Sequence, residues 1–188
     1  MTFWEGTKDH DVSQNYQALL GALPQRAGLR ILDFGCGPGR DLVFFKGAGH
    51  DPVGLDGSAE FCEMARELSG CAVLNQNFLK LELAPNSFEG VFANASLFHV
   101  PKQELVRVLG DLKLALVPGG ILFSSNPRGN AEGWSGERYA TYMEYEEYAQ
   151  ILATAGFEPV DHYYRPTGKP LNEQPWLAVV SRSFALRK

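Results

Sequence analysis

The stretch Ile31-Leu32-Asp33-Phe34-Gly35-Cys36-Gly37-Pro38-Gly39-Arg40-Asp41 constrains the fold of this chain more than any other. An apolar strand pattern runs into glycines at alternate positions, and a helical pattern follows. Gly35, Gly37 and Gly39 carry no Cβ where the backbone must turn tightly and approach a ligand. The helix behind them directs its first N–H groups at a negative group. Cys36 fits the turn because a thiol is small, and nothing beside it in sequence marks it as reactive.

The same alternation continues along the chain. Short β-rich runs lie at Arg30–Phe34, Pro52–Leu55, Ala72–Leu74, Gly90–Ala93 and Ile121–Ser124. Between them Phe61, Met64, Ala65 and Leu68 recur at helical spacing, as do Leu105, Val108, Leu109, Leu112 and Leu116. Strands alternating with helices predict parallel pairing through right-handed crossovers. A helix over Tyr145–Ala155 and strands over Phe157–Tyr164 and Trp176–Ser183 complete the pattern. The connection Arg165–Pro175 has no helical period, so the last two strands are expected to pair antiparallel. Ahead of the first strand, Asp11-Val12-Ser13-Gln14 has capping-box logic. The helix it opens runs through Tyr16, Leu19, Leu20 and Leu23 to Pro24, and can pack over the strand ends where ligands bind.

The second strand makes the glycine turn specific. Val53-Gly54-Leu55-Asp56 places a carboxylate 21 positions after Gly35. An acid about 20 residues on accepts from ribose hydroxyls; alternatively Asp56 is only the N-cap of a helix beginning near Ser58. A nicotinamide dinucleotide fits poorly. Its fingerprint needs a third glycine at position 40, which is Arg40, and a separate substrate domain for which 188 residues leave no room.

Asp33-x-Gly35-x-Gly37-x-Gly39 resembles the first motif of the class I S-adenosylmethionine (SAM)-dependent methyltransferases. Phe88–Ala95 resembles that family's fourth-strand motif, whose end lies beside the sulfonium. Leu116-Val117-Pro118-Gly119-Gly120 resembles the turn before its fifth strand. The resemblance implies an α/β Rossmann-like fold: a seven-stranded, mostly parallel sheet with the last strand antiparallel and helices on both faces. It implies one domain over 1–188, with an N-terminal cap helix in 1–29, a core over 30–188 and a substrate lid near 129–145. It also implies SAM as cofactor, held by Asp33, Phe34, Gly35, Cys36, Gly37, Gly39, Arg40, Asp56, Gly57, Asn94 and Phe98. Where the family often has an acid for the adenine amino group, this chain has Asn77, whose amide oxygen also accepts. Phe78 next to it suits the adenine face. Either residue is alternatively turn and core.

Methyl transfer from a sulfonium is an in-line displacement that needs alignment and dryness rather than a covalent nucleophile. No metal is expected, since neither C-x-x-C nor H-x-x-x-H occurs. Seventeen basic residues against 22 acidic ones give a net charge of −5, with no basic stripe. A small-molecule acceptor is therefore expected, not nucleic acid. No apolar run reaches a membrane span, the N-terminus lacks signal-peptide features, and Cys36, Cys62 and Cys71 cannot all pair. These features point to the cytoplasm.

Acceptor-side groups are expected after the strands. They are Asp11, Gln14 and Asn15 before the first, Asn94 to His99 after the fourth, and Asn126 and Arg128 after the fifth. The connection Gly133–Tyr142 and the hairpin Tyr163–Trp176 add Tyr139, Tyr164 and Trp176, in the manner of lids. Each has a plainer reading. Asp11 caps its helix, His10 is solvated, His99 closes a turn, Arg128 is a loop charge, and the tyrosines and tryptophans pack.

Five segments together resemble a bacterial subgroup of the class, the methyltransferases of ovothiol biosynthesis. They are His10–Asn15, Phe34–Asp41, Phe92–Pro101, Ser124–Gly129 and Gln174–Ala178. That subgroup occurs alone or as the last domain of a larger enzyme and methylates a ring nitrogen of 5-thiohistidine. A zwitterionic acceptor then calls for a cation, with Arg128, Arg138 and Arg165 as candidates. A ring nitrogen calls for at most one base. The candidate catalytic residues are His10, His99 and Tyr16.

Overall fold

The computed structural model describes residues 11–136 and 138–184. Its centre is a seven-stranded sheet of order β3-β2-β1-β4-β5-β9-β8. The strands are β1 (Arg30–Phe34), β2 (Asp51–Asp56), β3 (Ala72–Asn75), β4 (Phe88–Asn94), β5 (Leu116–Pro127), β8 (Phe157–Arg165) and β9 (Trp176–Ser183). Pairing from β3 across to β5 is parallel. β9 lies antiparallel between β5 and β8, as the irregular 165–175 connection predicted. This is the Rossmann-like sheet implied by the sequence, and the reversal of strand order beside β1 opens the crevice where such sheets bind ligands.

Both faces of the sheet are covered, so its strands are apolar on both sides. In β1, Leu32 and Phe34 face one layer and Ile31 the other. The first layer carries α4 (Lys102–Ala115) and α5 (Tyr145–Ala155). The second carries α1 (Ser13–Ala22) and α2 (Arg40–Gly47), with α3 (Ala59–Ser69) packed beside α2. Among the described residues no helix is long and apolar enough to cross a membrane. Cys36, Cys62 and Cys71 are free thiols.

Five local expectations are corrected. The buried face of α3 is Cys62, Ala65 and Ser69, one position round from the expected stripe, and Leu68 is 49% exposed. At Ala65 the helix packs on the glycine turn: a Cβ on Gly39 would stand 2.8 Å from the Ala65 Cα, so only a small side chain fits there. Leu116 belongs to β5 rather than α4. Pro118-Gly119-Gly120 is a bulge inside that strand, where the partner register jumps from Phe88↔Leu116 to Gly90↔Ile121. The connection at 133–142 is a hairpin of β6 (Glu132–Ser135) and β7 (Arg138–Thr141). The start of α1 is no reciprocal capping box. Asp11 Oδ1 accepts from the Ser13 N–H at 2.9 Å, while the Gln14 side chain instead accepts from the Thr167 hydroxyl.

Candidate functional site

The glycine turn leaves β1 with Gly35 at φ +81°, Gly37 at +50° and Gly39 at +99°, all in the region that favours glycine. At Gly35 the restriction is doubled, because a Cβ would lie 2.4 Å from the Ser96 Cβ. Ser96 is itself held there by donating its hydroxyl to the Phe34 carbonyl. The turn is therefore wedged between the ends of β1 and β4, and its glycines answer to protein neighbours as well as to backbone conformation. Asp56, half-buried at the end of β2, accepts from the Gly37 N–H at 3.0 Å and the Ser58 N–H at 2.9 Å. The side-chain cap of α3 is Ser58, whose Oγ accepts from the Phe61 N–H at 3.3 Å. Asp56 thus braces the turn, and each carboxylate oxygen keeps lone-pair capacity for ribose hydroxyls. Gly57 follows it at the rim.

Behind the turn lies a compact charge cluster. Asp33 is 1% exposed, and its Oδ2 has no hydrogen-bond partner among the described residues. Burial, reinforced by the charges of Asp41 and Asp56 and opposed by Arg40, holds its carboxyl well above the usual carboxylate range. Asp41 accepts from the Tyr16 hydroxyl and from Arg40 Nε, both at 2.6 Å, and from Arg40 Nη2 at 3.1 Å. Burial first, then the Asp41 charge, raises the Tyr16 hydroxyl far above its ordinary range. Tyr16 is therefore a proton-holding donor, stacked on Phe44 at 3.7 Å, that ties α1 to α2. The Cys36 thiol is likewise pushed up, by burial and then by Asp33 and Asp56, so it stays protonated. An orphaned buried carboxyl oxygen beside a backbone cradle is a donor set suited to a cationic amino-acid moiety. The residues present fit SAM, with Asp56 available to its ribose.

The candidate acceptor edge lies at the ends of β4, β5 and β9. Asn15, fully buried, donates from Nδ2 to Asn94 Oδ1 at 2.9 Å and accepts from the Tyr163 hydroxyl at 2.8 Å. It thereby joins α1 to β4 and β8. Ala95 follows Asn94 at φ +57°, a conformation rare for a residue with a Cβ. On the opposite face Asn126 is fully buried, with its side chain beside the Tyr148 hydroxyl. It lies one strand alternation from Ser124, which accepts from the Tyr148 hydroxyl at 2.9 Å. Phe98 meets Trp176 edge-on, with ring centroids 6.1 Å apart.

Other predicted residues are drawn into local structure. Asn77 turns its amide oxygen onto the Leu79 N–H at 2.8 Å, and Phe78 stacks on Phe34 at 4.2 Å. His99 Nδ1 lies 2.8 Å from the Tyr139 carbonyl. The Tyr139 hydroxyl donates to Glu132 Oε1 at 2.7 Å, and the same oxygen accepts from the Lys102 N–H at 2.8 Å. With the Thr141 hydroxyl donating to the Val100 carbonyl at 2.9 Å, the β6–β7 hairpin is fastened to residues 99–102. Arg128 is no free loop charge. Its Nη1 donates to the Leu171 and Gln174 carbonyls at 2.8 and 2.9 Å, and its Nε and Nη2 both donate to Glu144 Oε2 at 3.3 Å. Its guanidinium also lies over the Tyr164 ring at 4.6 Å. Arg165 donates to the Asp11 carbonyl. His10 lies outside the described residues. Asp41, Ser96, Glu132 and Glu144 carry contacts that sequence reasoning did not assign. Only Asp41 had a sequence signal, an acid next to Arg40 in the first turn of a helix.

Residues 31–120 match the model of a family described as Methyltransferase domain. Methyltransferase phqN of Penicillium fellutanum is 37% identical over 102 residues, covering 49% of this chain and 30% of that protein. A malonyl-(acyl-carrier protein) O-methyltransferase of Pectobacterium atrosepticum is 32% identical over 107 residues, 56% of this chain and 42% of that protein. The chain thus spans less than half the length of these two relatives. A similar solved structure is the Burkholderia thailandensis 1,6-didemethyltoxoflavin-N1-methyltransferase with bound 1,6-didemethyltoxoflavin and S-adenosylhomocysteine. It has a TM-score of 0.77 and 21% identity, covering 97% of this chain and 82% of that one.

Proposed function

We propose, from the fold and from the match over residues 31–120, that the chain is a class I SAM-dependent methyltransferase and moves a methyl group from SAM to a small-molecule acceptor. The observation that carries this reading is the wedged glycine turn with Asp56 braced against Gly37 and the unpartnered Asp33 oxygen behind it. SAM, when bound, brings a methyl group already activated by its sulfonium. The chain's own residues then have three tasks. Asp56 and the turn orient the cofactor; Asn94, Phe98 and Trp176 wall the acceptor at the strand ends; the hairpin and the 165–175 connection exclude water. The reaction is assigned to the cytoplasm, where the three free thiols remain reduced.

The acceptor is assigned as 5-thiohistidine, methylated on a ring nitrogen in ovothiol biosynthesis. The five segments that resemble that subgroup support this; Asn15 of the first bonds Asn94 of the third, and Phe98 of the third meets Trp176 of the fifth. The neighbour named as an N1-methyltransferase makes a ring-nitrogen acceptor compatible with the fold. The test offers the protein 5-thiohistidine, histidine and unrelated thiols in parallel, with labelled SAM. Label in 5-thiohistidine is expected, with kcat/KM for histidine lower by about 10²–10⁴ where the sulfur fills and charges the pocket. Label in an unrelated thiol but none in 5-thiohistidine overturns the acceptor and leaves the methyltransferase assignment in place.

A further inference from the structure

At the β5–β8 end of the acceptor edge lies a cleft of about 630 Å³, lined by Arg128, Glu144, Leu171, Asn172, Gln174 and Pro175. Its position follows from topology: Arg128 comes directly after β5 and Pro175 directly before β9. β4, whose end is assigned to the reacting centre, is the next strand over. An arginine in such a place invites a carboxylate. The hydrogen bonds argue otherwise, because four of the five N–H groups of Arg128 are already engaged. A carboxylate arriving here finds one remaining N–H and faces Glu144 with the same charge.

The free valence in the cleft is an acceptor. Both contacts from Arg128 fall on Glu144 Oε2. Glu144 Oε1 has no partner among the described residues, and the Glu144 side chain is 37% exposed, within reach of a ligand. The Gln174 carbonyl adds one more oxygen with a second lone pair, whereas the Leu171 carbonyl already accepts from both Arg128 and the Gln174 N–H. We infer that this cleft binds a primary ammonium group of the acceptor, with Glu144 as its counter-ion and Arg128 as the strap that fixes both Glu144 and residues 171–174. The inference rests on the methyltransferase reading for its distance from the reacting centre, and it deepens that reading. The acceptor is an amine-bearing molecule, as an α-amino acid is, anchored by its ammonium rather than its carboxylate.

The test uses binding, so that it does not depend on turnover. With S-adenosylhomocysteine present, histamine and imidazole-4-propionate are titrated against ¹⁵N-labelled protein, and the amides of residues 128, 144–145 and 171–174 are followed. Histamine is expected to shift them and imidazole-4-propionate to leave them still. Glu144→Gln keeps an oxygen for Arg128 but removes the charge, and should weaken histamine about five- to tenfold, a modest loss because the site is partly open to water. Arg128→Gln frees Glu144 from its partner, and should keep the histamine response while a carboxylate site would lose its ligand. A stronger response to imidazole-4-propionate, or histamine binding untouched by Glu144→Gln, overturns the ammonium site. Binding of S-adenosylhomocysteine to wild-type protein, measured in the same samples, reports on the methyltransferase reading separately.

Discussion

Asp33 is a buried acid whose carboxyl sits well above its usual range, and the direction of that shift fixes its effect on stability. The folded chain holds a proton that the unfolded chain releases near pH 4. The stabilising contribution is complete below that pH and is lost as pH rises through the folded-state pKa. Asp33→Asn should therefore raise the melting temperature at neutral and alkaline pH and flatten its decline with pH in cofactor-free protein. It should also weaken SAM, since an amide, unlike the acid, cannot give up a proton to face the cofactor's cation. Melting curves from pH 4 to 9, with calorimetric SAM titration, read both effects; an unchanged pH slope removes Asp33 from this role. Gly35 is the second test at this scale. Gly35→Ala places a methyl 2.4 Å from Ser96 at φ +81° and should cost about 1–3 kcal/mol. Adding Ser96→Gly removes the collision but not the left-handed backbone, so it should recover part of the lost melting temperature.

Among the elements, the β6–β7 hairpin hangs on few bonds. Glu132 Oε1 collects the Lys102 N–H, the Tyr139 hydroxyl and, at 3.4 Å, the Thr141 hydroxyl. The Lys102 backbone bond and then Tyr139 hold its carboxyl below the usual range, so this fastening is in force above the unfolded pKa and lost as pH falls through the folded one. Glu132→Ala should loosen the hairpin, speeding proteolytic cleavage within 131–142 and raising acceptor KM, with SAM affinity unchanged. Equal cleavage rates sink that role. The hairpin also marks where sequence reasoning stopped. The sheet strands were legible because their apolar runs are long and doubly buried, and Arg30–Phe34 and Trp176–Ser183 were read to the residue. β6 and β7 are short strands with no apolar alternation, set by contacts to a segment some 30 residues away. The Pro118-Gly119-Gly120 bulge was read as a turn because local chemistry does not distinguish the two. Asp56 was found by spacing, whereas Glu144 and Ser96 matter only through partners that folding brings beside them.

For the whole molecule, a net charge of −5 and the absence of a basic stripe in the sequence set the expectation for large polyanions. Binding to duplex DNA or RNA at physiological salt should be negligible in a gel-shift assay. A salt-dependent submicromolar complex would reopen a macromolecular acceptor.

Asn15 has a further consequence for how the molecule comes into being. Its two partners, Asn94 and Tyr163, lie 79 and 148 residues further along the chain. During synthesis α1 emerges well before β8, yet that helix cannot find its full seat until β8 has emerged. Closing so long a loop carries an entropic cost that the earlier, more local strand pairings do not. A segment made before its partners is thus among the last to settle. A chain cut short before residue 163 carries the glycine turn but never acquires the polar bridge over the strand ends, so the turn and the bridge mature at different times.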